Sequence, residues 1–342
     1  MLKHIFLIIV FFNFSLNGDD KLTKLKELYK NHEVRKHQTW QNWQDTPLNK
    51  RISIAPKNII EYIRLDNQIF NFQGIPKTVI KDPKFDKDFK DALDELPLSV
   101  KKQLEKYLIG IFFIKDLGST GFSEHLYKDG KYYGGWLVFD QEVLSKLKAN
   151  QWATWRVNTA FKPSDKYKLT LNIQNSKNNN TRQAIQFILL HEIGHIIGSA
   201  TKAHPNPNKL DKEDPKNFPY SSISWLSLKK SIYDKEFKNR KDFKLYRFDN
   251  AKLELKESKE LIKNLKNTDF PSLYGSDTFL EDYAESYAIY IHTQMMNKPY
   301  ELTLYHDGKK IESFSNPFKR KIMLKKREFF DKLMDYQSLK SL

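Results

Sequence analysis

The string His191-Glu192-Ile193-Gly194-His195 places two imidazoles four residues apart with a carboxylate beside the first. On a helix that spacing projects both rings from one face about a turn apart. One zinc ion can then take both rings while the glutamate reaches the water to be activated. A zinc-held water loses its proton near pH 7, and a carboxylate beside it can accept that proton, so the expected chemistry is hydrolysis of a polarised carbonyl. The preceding run Ala184-Ile185-Gln186-Phe187-Ile188-Leu189-Leu190 makes a buried helix. Two histidines and a glutamate at the end of such a helix are costly unless something satisfies them, and a metal satisfies all three. The competing reading is a pair of hydrogen-bonded core histidines.

A hydrolytic zinc site needs a third protein ligand and an open position for water. The string continues through Gly198 as in the metzincins, but the residue where those enzymes carry their third ligand is Thr201. His204 comes three residues too late for that geometry, between Ala203 and Pro205, and reads as a substrate-contacting or exposed side chain with a minor claim as a ligand. Further on, residues 279 to 292 read as a helix. Glu281, Glu285, Ala288 and His292 share one stripe, and Tyr283, Tyr287 and Ile291 an apolar one. Two carboxylates one turn apart suit one ligand and one supporting partner, although an ordinary amphipathic helix with exposed acids has the same pattern.

Tyr274-Gly275 followed by Glu281-Asp282-Tyr283-Ala284-Glu285-Ser286-Tyr287 resembles the third-ligand segment of the anthrax-lethal-factor-like zinc metallopeptidases, the group that includes the Pro-Pro endopeptidases. The resemblance covers 181 to 198 and 274 to 292. It implies a gluzincin-type HExxH zincin with Zn2+ on His191, His195 and Glu281 and with Glu192 as general base. It further implies Tyr274 as an oxyanion-stabilising hydroxyl and Glu285 as a carboxylate supporting the ligands. Tyr274 as a packing tyrosine is the plainer alternative. The separation of His195 from Glu281 exceeds the family's, which implies an insertion near 205–265 that shapes substrate access.

These residues need elements to hold them. Apolar positions from Phe89 to Leu108 recur at helical spacing, with Pro97 breaking two helices apart. Leu108 to Ile114 reads as a buried strand, Trp136 to Phe139 as another reached through the turn Lys128-Asp129-Gly130-Lys131, and Tyr167 to Ile173 as a half-exposed one. An Asn-rich loop, 175 to 180, leads into the apolar helix from Thr181 to about Ile197. A helical region runs from Ser258 to the C-terminus and ends in the basic helix Lys319 to Met334. The fold class expected is α+β: a zincin-like metallopeptidase with a small mixed sheet, an active-site helix and a helical C-terminal subdomain. Gly134-Gly135-Trp136-Leu137 is the candidate for a free sheet edge that pairs with extended substrate, or else a hairpin turn.

The N-terminus joins Lys3 and His4 to an apolar run from Ile5 to Phe12 and then to Gly18, which reads as a signal peptide over 1–18, with an uncleaved anchor as the alternative. The expected location is secreted or periplasmic. Residues 19–57 read as a helical arm or leader and 58–342 as the catalytic domain. With 39% hydrophobic residues in 342, the chain can bury a sizeable core. No later stretch approaches the span of a bilayer, so no stable membrane insertion is expected after signal cleavage. The absence of cysteine excludes disulfides, zinc-thiolate sites and cysteine nucleophiles. The net charge of +16 is spread among interleaved acids, as in Asp86-Lys87-Asp88. That is the pattern of a solvated surface, and no nucleic-acid motif accompanies it. The expected partner is a protein or peptide substrate. Rival readings are a zinc amidase acting on cell-wall peptide and a catalytically silent binding protein of the same fold. Asn13-Phe14-Ser15 and Asn179-Asn180-Thr181 fit the glycosylation sequon.

Overall fold

A computed structural model describes residues 18–335, apart from 73, 211, 248 and 249. The expected signal-peptide run and the sequon at Asn13 lie outside these residues. In chain order the elements are α1 (Gly18–Asn31), β1 (Ile52–Ile54), α2 (Lys57–Phe70), α3 (Pro83–Asp94), α4 (Leu98–Tyr107), β2 (Leu108–Ile114), β3 (Gly121–Lys128) and β4 (Lys131–Asp140). They continue with α5 (Gln141–Lys146), α6 (Ala149–Asn158), β5 (Phe161–Lys162), β6 (Tyr167–Asn172), α7 (Thr181–Ala200), β7 (Leu253–Glu254) and α8 (Ser258–Lys266). The last are α9 (Phe279–Tyr290), β8 (Glu301–His306), β9 (Lys309–Ser315) and α10 (Leu324–Met334). This is an α+β arrangement.

Local chemistry sets the boundaries near the site. Asp82 accepts from the backbone of Lys84 and Phe85 to start α3 with Pro83 in its first turn, and α4 begins directly after Pro97. Asn180 caps α7 through Gln183 N, and Thr278 caps α9 through Glu281 N, which fixes where Glu281 leaves the helix. Asp129 and Gly130, both at positive φ, close the hairpin between β3 and β4.

The main sheet has the order β1-β2-β4-β3, with β1, β2 and β4 parallel and β3 antiparallel at one end. Its strands alternate between two cores. Ile111, Phe113, Leu137 and Phe139 face the core that contains α3, α4, α7 and α9. Ile109, Phe112, Trp136 and Val138 face a second core with α2 and the N-terminal segment. A three-stranded antiparallel sheet, β6-β8-β9, lies apart from the main one. Helix α7 is apolar on nearly every side and is accordingly buried among α3, α6, α9 and the sheet. Gly194 lets it touch α9: a side-chain carbon there would sit 2.8 Å from Ala284 Cα.

Three expectations need correction. Gly134 to Leu137 is neither an edge nor a turn, because β4 is an interior strand paired on both sides. Its glycine instead makes room for α7, since a side-chain carbon on Gly135 would stand 2.2 Å from Ile196. The end strand beside α7 is β3. The stretch from Ser258 onward is not helical throughout, because β8 and β9 form a hairpin whose pairing with β6 a local helical pattern could not announce. The terminal basic helix starts at Leu324, five residues after Lys319 and beyond two short 3-10 turns.

Residues 19–57 are helical only through Asn31 and then run as short 3-10 turns into β1. They pack on the sheet's second face, where the Val34 carbonyl accepts from the indoles of Trp40 at 2.9 Å and Trp136 at 3.2 Å. The long connection from α7 to α8 is mostly irregular, held by buried Trp225 and by Arg240, whose guanidinium donates to Asp234 and to the carbonyls of Ser276 and Lys229. No described helix is long and apolar enough to cross a membrane.

Candidate metal centre

The last turns of α7 and the first turn of α9 bring together His191, His195 and Glu281, the one group of three such side chains among the described residues whose ligand atoms lie within 4.8 Å of one another. Glu281 Oε2 stands 3.4 Å from His191 Nε2 and 3.6 Å from His195 Nε2. Ligands about 2.0–2.2 Å from one tetrahedral zinc are separated from each other by roughly 3.3–3.6 Å, so the spacing fits a single ion. Glu281 Oε2 is buried and has no hydrogen-bond partner, which is the kind of atom a metal would satisfy. The His, His and carboxylate set could hold zinc.

One turn along α9, Glu285 approaches the other nitrogen of the first histidine, with Oε1 2.9 Å from His191 Nδ1. This contact turns Nε2 toward the cluster and fixes the ring. Glu285 is itself held by Arg156 of α6 at 3.1 Å and by the Ser272 hydroxyl at 2.6 Å. Burial pushes its carboxyl up, but Arg156 and His191 outweigh that and bring it down to about 2. Burial also pushes His191 down, yet the neighbouring carboxylates of Glu281 and Glu285 lift it to about 9, whereas burial takes His195 down to about 4. Glu281 stays below the usual carboxylate range because both imidazoles overcome its burial.

Glu192 lines the cleft against Gly121 at the start of β3, where a side-chain carbon would stand 2.7 Å from its Oε1. Burial raises its carboxyl to about 7, the range in which a group both takes and returns protons near neutral pH. The Tyr274 ring stacks on His191 with centroids 5.8 Å apart and receives the Arg156 guanidinium at 4.6 Å on the ring. Burial and the nearby Glu281 keep its hydroxyl protonated, hence a donor.

His204 is buried rather than exposed. Its Nδ1 pairs with the Pro205 carbonyl at 2.8 Å, and its ring packs on Phe279 and Tyr283 while bordering the cleft. It does not join the ligand group, and Thr201 bonds the Ile197 carbonyl of its own helix. His292 bonds the Ile173 carbonyl at 2.7 Å and is structural. Sequence reasoning missed His125 of β3, which lines the cleft with a buried Nδ1 that finds no hydrogen-bond partner. It also missed Arg156 and Ser272. Only the apolar run around Arg156 hinted at a cation in need of a buried acid.

The cleft over the three ligand residues is bordered by Ser123 and His125 on one side and by Pro207 and Leu280 on the other. The arrangement can hold a divalent cation beside a carboxylate and a phenol, with an open face to solvent. The chain matches no family model, no curated protein and no solved structure.

Proposed function

We propose that the chain is a secreted zinc-dependent endopeptidase, with His191, His195 and Glu281 as the residues that would hold the metal. The observation that carries this reading is the pair of 3.4 and 3.6 Å separations around a buried, unpartnered Glu281 Oε2. A zinc ion bound there would supply Lewis acidity, polarising a carbonyl and making a water more acidic.

The other steps belong to the chain. Glu192, lifted by burial to about 7, takes the proton from the attacking water and hands it to the departing amine. Tyr274 donates its hydroxyl to the carbonyl oxygen as that oxygen gains charge, an interaction made only on the way to the transition state. Glu285 holds His191 by Nδ1, and Arg156 and Ser272 hold Glu285, so the ring cannot turn without losing its contact with a fixed carboxylate. The position of β3 at the end of the sheet beside the cleft supports extended polypeptide as substrate, because an end strand next to a hydrolytic centre can align another strand.

The test is digestion of a mixed pool of unfolded protein and peptides, read by mass spectrometry, with zinc-loaded Glu192→Gln as control. New termini produced only by the chain with Glu192 support the reading. Identical termini with both proteins, zinc being bound in each, overturn it.

A further inference from the structure

Next to the three ligand residues the cleft deepens into a cavity of about 200 Å³, bounded on its inner side by His191, Glu192 and Tyr274. Elsewhere α2 and the start of β3 line it. Ile63, Leu117, Phe72 and Phe122 supply apolar walls, and Asp66 and Asn67 supply a polar region.

Two acceptors stand on α2. Asp66 is 5% exposed and has no cation within ion-pair distance among the described residues; burial and Glu124 push its carboxyl up to about 6 against the pull of the Tyr29 hydroxyl and of Arg35, which is itself paired with Glu124. Asn67 gives its amide hydrogens to the carbonyls of Gly74 at 2.9 Å and Leu117 at 3.0 Å, which leaves its own carbonyl oxygen as the acceptor. Arg156, the one arginine or lysine in the lining, is committed to Glu285 and lies between the rings of Trp152 and Tyr274. A buried carboxylate without a cation is costly, and apolar walls leading to it suit a side chain with a long aliphatic stem and a charged head.

We propose that this cavity receives the side chain of a lysine or arginine flanking the scissile bond, and that Asp66 is the group that selects it. The inference rests on the peptidase reading and adds a substrate class to it. A large apolar residue would fill the walls but leave Asp66 without a cation, and an acidic one would set like charges together.

The test is an octapeptide panel with Lys, Arg, norleucine, Phe or Glu at each position around the cleaved bond, offered to the zinc-loaded chain and to Asp66→Asn. Binding of the same peptides, fluorescently labelled, to zinc-loaded Glu192→Gln is measured in parallel by anisotropy. At one flanking position Lys and Arg are expected to exceed norleucine by on the order of 10- to 100-fold in kcat/KM and in affinity. Asp66→Asn is expected to shrink that ratio to within about threefold. Hydrolysis with norleucine or Phe equal to Lys at every position overturns the cavity assignment and leaves the peptidase reading intact. No hydrolysis, together with binding to Glu192→Gln that favours Lys and Arg over norleucine and is lost in Glu192→Gln/Asp66→Asn, overturns the peptidase reading and keeps the cavity as a site for a basic side chain. Neither hydrolysis nor selective binding overturns both. The panel on the unaltered chain decides the assignment even if Asp66→Asn fails to fold.

Discussion

Helix α9 turns acids toward two neighbours, and the two faces end differently. Asp282 and Ser286 face α10 and the long connection, where Asp282 accepts from Lys326 at 2.6 and 2.8 Å and from the Trp225 indole at 2.8 Å. Tyr220 donates there too, and Asp269 stands 3.2 Å from the same lysine. Lys326 and Asp282 are fully buried and fully engaged. Glu281 and Glu285 face α7. Glu285 is as well held as Asp282, but Glu281 keeps a buried oxygen without a hydrogen-bond partner, facing two imidazole nitrogens. A buried polar cluster that satisfies itself is architecture. One that leaves a ligand atom without a partner, in a cleft, is a place for something else.

That contrast can be broken by substitution. The largest effect is expected from Glu192→Gln, which should cut peptide hydrolysis by about 100- to 10,000-fold, with zinc content and melting temperature close to unaltered. Lost zinc would show that Glu192 belongs to the holding set instead. Lys326→Met, on the satisfied face, should leave two buried acids without their cation and cost about 3–5 kcal/mol of stability in a urea titration. The folded fraction should still bind zinc in full, and a variant as stable as the parent would mean that this cluster does not hold α10 down. Tyr274→Phe should lower kcat by about 100-fold or more with little change in KM. A change confined to KM would make Tyr274 a packing residue for substrate. The smallest effect is expected from Glu285→Gln, which loosens His191 and should weaken zinc affinity by about 10- to 100-fold in a competition assay with a chromogenic chelator. Unchanged affinity would place its role in the pairing with Arg156 alone.

Legibility followed the range of the interactions. The helix break at Pro97, the buried strand at Leu108–Ile114, the start of the apolar helix at Thr181 and the hairpin turn at Asp129-Gly130 all depend on neighbours in the chain, and they stand where the pattern puts them. Whether β4 or β3 is the end strand depends on which strand arrives on its far side, and Gly134-Gly135 carries no mark of that. The hairpin of β8 and β9 was missed for the same reason, since its partner β6 lies far back in the sequence.

At the candidate site, the sequence by itself determined the spacing of His191, Glu192 and His195, because the rise of one helix fixes side chains four residues apart. It likewise put Glu281 and Glu285 one turn apart on a second helix. Only the tertiary structure decided that the two helices meet there, through the close approach that Gly194 allows to Ala284. It also turned His204 into the packing against Phe279 and brought Arg156, Ser272, His125 and Asp66 in from distant segments. Side chains from separate segments share no local period, and what joins them is the need of buried charges and hydrogen-bonding groups for partners once the core has closed around them.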